Sequence, residues 1–199
     1  VTLPNNFVTV FHTFTADLGI ELPWPKPDNY VPKNADSPIL IWGGSSSVGQ
    51  FAIQILRYYG YTSILATASR KQHEKLRSLG AKALFDYNDK DVVAALLSQG
   101  DKSGIPLILD CIGSKFGSIT PISQIAQSGA KVAILLPVIV RDSSETEAPE
   151  YEQDVRKVAN WKEGVDARGV RTHFYLDVST LDFGPPVTNC ERTELTFAE

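Results

Sequence analysis

Apolar residues in this chain come in short blocks separated by longer amphipathic stretches. Ile39, Leu40, Ile41 and Trp42 form one uncharged block. Such a run suits a strand buried on both faces of a parallel sheet. Next, Val48 to Tyr59 sets Val48, Phe51, Ala52, Ile55 and Leu56 at helical spacing. The alternation then repeats. The pattern predicts strands at 63–68, 83–85, 105–109 and 131–136, with helices at 70–79, 90–97 and 116–127 between them. Gly60 and Gly80 close two of these helices. Strands alternating with helices at this pitch predict an α/β fold, a doubly wound parallel sheet with helices on both faces.

The two ends read differently. Residues 1–20 predict a capped helix with Asn5 or Asn6 as N-cap. Its apolar face would be Phe7, Val8, Val10, Phe11, Phe14 and Leu18, and Gly19 its C-cap. Prolines 23, 25, 27, 32 and 38 then forbid regular structure and mark a connector. Residues 141–150 are polar and acidic, which predicts a loop. Val155, Val158 and Trp161 recur every three residues, which predicts a helix over 151–164. Alternation in Val170–Leu176 predicts the sixth strand, and from Asp177 to Glu199 the pattern dissolves into a tail. The division expected is 1–30 for helix and connector, 31–176 for the α/β domain and 177–199 for the tail.

Composition narrows the function. A net charge of -4 offers no basic footprint for nucleic acid. No apolar run is long enough to span a membrane, and no signal peptide opens the chain, so the expected setting is cytoplasmic. Val1 stands where an initiator Met would be, and the chain has no Met, which suggests a piece of a longer polypeptide. Cys111 and Cys190 form neither a zinc-ligand spacing nor a disulfide framework. No catalytic triad or carboxylate pair emerges, so no metal and no catalytic side chain are assigned.

The chemistry gathers after the first predicted strand, in Gly43-Gly44-Ser45-Ser46-Ser47-Val48-Gly49. Strand, glycine turn and helix make the phosphate-binding unit of a Rossmann-type domain. The helix start presents unpaired N–H groups and a partial positive charge to a pyrophosphate. Set against G-x-G-x-x-G, the loop reads Gly44-x-Ser46-x-x-Gly49, with serine in the middle. Taken alone, it could be a tight turn with no ligand. The end of the second strand adds the deciding feature. A carboxylate about 20 residues beyond the glycines would bind the ribose 2′-OH of NAD. Here the chain reads Ala68-Ser69-Arg70-Lys71 instead. A hydroxyl and two cations suit a 2′-phosphate. As a merely solvated helix start they would oppose the helix dipole.

Ser69-Arg70-Lys71, Leu79-Gly80-Ala81 and Asp86-Tyr87, together with Trp42 to Gly49, resemble the medium-chain dehydrogenase/reductase superfamily. The similarity is greatest to its zinc-independent branch of quinone oxidoreductases and stand-alone enoyl reductases, and covers residues 1 to about 176. The resemblance implies an NADP(H) site. Gly44, Ser46, Ser47, Val48 and Gly49 match its pyrophosphate loop. Ser69 and Lys71 match its 2′-phosphate contacts, with Arg70 as neighbour. Tyr87 matches a tyrosine beside the adenosine phosphate, although it could simply cover the sheet edge. Cys111, Ile112 and Gly113 match the loop beside the nicotinamide riboside, although Cys111 is equally a small core residue. Leu135, Leu136 and Pro137 match the segment over the nicotinamide ring, and Thr9 a helix residue that faces it. The first helix then looks like a remnant of the interdomain region. Family members place a GroES-like catalytic barrel before this region, and none is seen here. The implied activity is NADPH-dependent reduction of a conjugated carbonyl in a small molecule, by a chain that can form homo-oligomers. Two alternatives stand beside it: a non-catalytic nucleotide-binding module and an NADP-linked alcohol dehydrogenase.

Overall fold

A computed structural model describes residues 3–100 and 104–171. Helix α1, Leu3–His12, continues through one π-helical turn, Thr13–Asp17. An irregular proline-rich stretch leads to β1, Ile39–Trp42. There follow α2 (Ser47–Tyr59), β2 (Ile64–Thr67), α3 (His73–Leu79), β3 (Ala83–Phe85) and α4 (Val92–Leu97). Then come β4 (Leu107–Asp110), α5 (Thr120–Ile125), β5 (Lys131–Leu135), β6 (Val138–Arg141), β7 (Glu150–Glu152) and β8 (Asp166–Val170).

Six strands form one sheet in the order β3-β2-β1-β4-β5-β8, and every pairing is parallel. The chain steps outward from β1 to β3, returns to β4 and steps outward again. This is the doubly wound order that opens a crevice beside the central strand. The position of β1 explains its composition. Ile39 and Ile41 enter the core beneath α1, α2 and α3, whereas Leu40 and Trp42 enter the one beneath α4 and α5. Successive side chains of a strand point to opposite faces, so a strand with two cores must be apolar throughout. Helix α1 and the π-helical turn after it belong to the first core through Val10 and Phe14. Its Phe7 and Phe11 meet Phe51 and Tyr59 of α2 at 5.8 and 6.4 Å.

Two expectations need correction. The helix over 151–164 does not form. Its start is strand β7, and only a single 3-10 turn, Val155–Lys157, follows. Glu152 Oε1 accepts the N–H groups of Gln153 and Asp154, and Asp154 Oδ1 accepts that of Arg156. Such local bonds compete with helix propagation. The three-residue spacing records a packed turn, in which Val155 and Val158 are buried and Trp161 Nε1 donates to Val155 O at 3.0 Å. The polar loop is flanked by β6 and β7, which pair antiparallel and hold its ends together. The sixth strand of the main sheet lies at 166–170, earlier than expected. It is an edge strand that buries little beyond Ala167 and Val170, and its Asp166 and Arg168 pair with each other at 2.7 Å. Residues 172–176 of the expected strand, and the tail, lie outside the described residues.

Candidate cofactor-binding site

The loops singled out in the sequence all leave the C-terminal ends of strands. After β1, Gly43 adopts φ +79, a conformation that disfavours any side chain. Thr67, at the end of β2, anchors this turn. Its Oγ1 accepts the Gly43 N–H at 3.0 Å and its carbonyl accepts the Gly44 N–H at 2.8 Å. Ser46 caps α2, its Oγ accepting the Gly49 N–H at 3.0 Å. A Cβ on Gly49 would lie 2.6 Å from Gly43 O, so the helix backbone rests directly on the loop. Among the described residues, no acceptor is paired with the N–H groups of Ser45, Ser47 and Val48. They stand at the positive end of a 13-residue helix.

Helix α1 reaches this loop through a residue not foreseen. Asn6 Nδ2 donates to Ser47 Oγ at 2.9 Å. The Thr9 hydroxyl donates instead to Asn5 O, inside its own helix.

The second corner lies past β2. Ser69 opens a 3-10 turn, Arg70–Gln72, that leads into α3. Arg70 turns toward the loop after β3, where its Nη2 meets Asp89 Oδ1 at 2.7 Å. Lys71 and Tyr87 are exposed.

The third corner is built around Asp110, which the sequence reading passed over. The residue is fully buried at the end of β4. Its Oδ1 accepts the N–H groups of Ile112 and Gly113 at 2.9 and 3.3 Å, and its Oδ2 accepts the Ser118 hydroxyl at 2.6 Å. Burial raises its pKa to about 6, although these bonds pull it down. The carboxylate thereby shapes the turn of Cys111, Ile112 and Gly113. Ile112 lies over the first loop: a Cβ on Gly43 would stand 2.6 Å from its Cδ1. Gly113 O accepts the Ile139 N–H at 2.7 Å, which ties this turn to the segment after Leu135, Leu136 and Pro137. Burial raises the pKa of the half-buried Cys111 thiol, with the Asp110 charge adding to the effect. A hint of Asp110 was present in the sequence, as the one charge closing the apolar run Ile105 to Leu109.

Comparison with known proteins agrees with this geometry. A family model described as zinc-binding dehydrogenase matches residues 47–135. Trans-enoyl reductase tazE of Aspergillus terreus is 46% identical over 83 residues, 42% of this chain and 27% of that protein. Uncharacterized protein YNL134C of Saccharomyces cerevisiae is 36% identical over 115 residues, 57% of this chain and 29% of that protein. The crystal structure of CurK enoyl reductase superposes with a TM-score of 0.60 at 19% identity, covering 86% of this chain and 43% of that one. The chain is similar in sequence and fold to the cofactor-binding domain of medium-chain dehydrogenases/reductases.

In length, the matched stretch is under a third of those two curated relatives. Oxidoreductases of this superfamily use a nicotinamide dinucleotide, and the residues present fit one. Three unpaired N–H groups at a helix start form a donor set for a pyrophosphate. Ser69 and Lys71 follow β2, the strand paired with β1. Despite the family model's name, no three His, Cys, Asp or Glu groups cluster to hold a metal among the described residues. No helix among them is long and apolar enough to cross a membrane.

Proposed function

We propose that this domain binds NADPH in preference to NADH and serves a reductase of enoyl or quinone substrates. When bound, the cofactor supplies hydride from C4 of its nicotinamide to the β-carbon of a conjugated carbonyl. The N–H groups of Ser47 and Val48, with the Ser47 hydroxyl, would hold the pyrophosphate. Ser69 and Lys71 would hold the 2′-phosphate, and Tyr87 would cover the adenosine. The turn Cys111–Gly113 would flank the nicotinamide ribose, and Leu135, Leu136 and Pro137 the ring, with Thr9 on the facing helix. Residues 31–176 make up the cofactor unit in this reading. The donor that steadies a developing enolate is assigned to no described residue.

The observation that carries the proposal is the end of β2. No carboxylate stands at 68–71, where one would bind a ribose 2′-OH, and Lys71 is exposed there. The name of tazE supports reduction of an enoyl double bond. Two measurements test the reading. In titrations followed by calorimetry, NADPH should bind at least about tenfold tighter than NADH, the scale of a charge-assisted contact. Equal affinities overturn the cofactor assignment. NADPH oxidation should then be followed with 2-enoyl thioesters and quinones, using a chain extended to the length of the curated relatives. An extended enzyme that consumes NADPH with neither class overturns the substrate assignment.

A further inference from the structure

The corner that would face the 2′-phosphate contains more than cations. Arg70 is bracketed by two carboxylates of the loop that follows β3. Its Nη2 is 2.7 Å from Asp89 Oδ1, and its Nε is 3.6 Å from Asp86 Oδ2. The same Asp86 oxygen accepts the main-chain N–H of Arg70 at 3.2 Å. Asp86 is itself fixed, because its Oδ1 accepts both the N–H and the side-chain amide of Asn88 at 2.9 and 3.0 Å. Hydrogen bonding holds the Asp86 carboxyl below its ordinary pKa, while the bond to Asp89 raises that of Arg70, so Asp86 and Arg70 are both charged at neutral pH. Lys71, the next residue, pairs with no carboxylate among the described residues.

We propose that Asp89 is a specificity-determining residue: it holds Arg70 on the β3 loop and so leaves Lys71 as the cation that meets the 2′-phosphate. Arg70 and Lys71 look equivalent in the sequence, but the structure makes them unequal. The two carboxylates of the clamp cancel the charge of both cations, so the corner is close to neutral overall. A planar guanidinium engaged by a carboxylate has fewer donors to offer a phosphate. Releasing Arg70 would add a second cation beside the first and raise the preference for a 2′-phosphorylated ligand. The proposal therefore runs against the simpler expectation that every cation in the corner already binds phosphate.

This inference rests on the 2′-phosphate reading above, and the experiment separates the two. The probes are adenosine 2′,5′-bisphosphate and adenosine 5′-monophosphate, titrated calorimetrically into the 199-residue chain. Their affinity ratio isolates the 2′-phosphate. In Asp89→Asn the ratio should rise about threefold, the scale of one exposed ion pair. Arg70→Gln alone should change it little, whereas Lys71→Gln should lower it sharply. In the double variant Asp89→Asn/Arg70→Gln the gain should vanish. If the gain persists there, Asp89 acts by charge repulsion alone and the clamp is wrong. If Asp89→Asn leaves the ratio unchanged, Asp89 has no such role. A wild-type ratio near one overturns the 2′-phosphate reading itself and the clamp with it. Asp89 is about half exposed, so its replacement leaves the core intact, which a matching thermal transition would verify.

Discussion

Asn6 and Ser47 are 41 positions apart, yet their side chains meet at 2.9 Å. Asn6 donates and the Ser47 oxygen accepts, which leaves the Ser47 O–H free to donate outward at the start of α2. An exposed hydrogen bond of this kind is worth about 0.5–1.5 kcal/mol. Asn6→Ala should therefore weaken NADPH and NADH alike by about two- to twelvefold, because the pyrophosphate is common to both. Calorimetric titration of the two cofactors checks this. A loss confined to NADPH would place the bond's influence elsewhere.

Gly49 stands on the first turn of a helix, where alanine normally adds about 1 kcal/mol of stability. Here the added Cβ would stand 2.6 Å from Gly43 O and 2.8 Å from Gly44 Cα, which are backbone atoms with little freedom to move. Overpacking of this kind costs about 1–3 kcal/mol or more, so the steric term wins. Gly49→Ala should lower stability in urea denaturation. A variant more stable than the wild type would show that the loop yields.

Asp110 gives a pH signature. Its folded pKa is raised to about 6 from an ordinary 3.8, chiefly by burial. Between these values the folded protein keeps a proton that the unfolded chain has released. Stability therefore falls as pH rises through this window, by about 3 kcal/mol for a shift of this size. Below the window both states are protonated, and above it the penalty is complete. Asp110→Asn carries no such term. From pH 4 to pH 7 the wild type should lose about 2–3 kcal/mol relative to this variant in urea denaturation. A difference that does not vary with pH would mean that the carboxyl titrates normally.

Lys71 is exposed and separate from the Arg70 clamp, so reversing its charge disturbs little but the ligand. Lys71→Glu should erase the preference for NADPH and leave NADH binding and thermal stability nearly unchanged. A preference retained by this variant would transfer the 2′-phosphate to other residues.

Elemental analysis of the purified chain should find no stoichiometric zinc, since no ligand cluster exists among the described residues. About one zinc per chain, on the scale of a dedicated site, would revive the alcohol dehydrogenase reading.

Much of this fold was legible without coordinates because its determinants are local. A strand with a core on each face must be apolar throughout, so Ile39 to Trp42 announced β1. A turn that adopts φ +79 at Gly43 and presses a helix on the loop at Gly49 calls for glycine at those places. The lack of a carboxylate at 68–71 is likewise a fact of the sequence. Other features depended on partners brought from afar. Val155, Val158 and Trp161 carry a helical spacing, but side-chain bonds from Glu152 and Asp154 end the helix at a single turn. Strand β8 shows hardly any apolar pattern because it gives each core a single buried side chain, Val170 to the first and Ala167 to the second. The clamp on Arg70 depends on β3 lying beside β2, which brings Asp86 and Asp89 to the end of the neighbouring strand. Asp110 could be read as one more surface carboxylate until the sheet enclosed it between β1 and β5. Propensity and steric fit act between near neighbours and are written along the chain, whereas the burial of a charge and the choice of its partner are set only when distant strands come together.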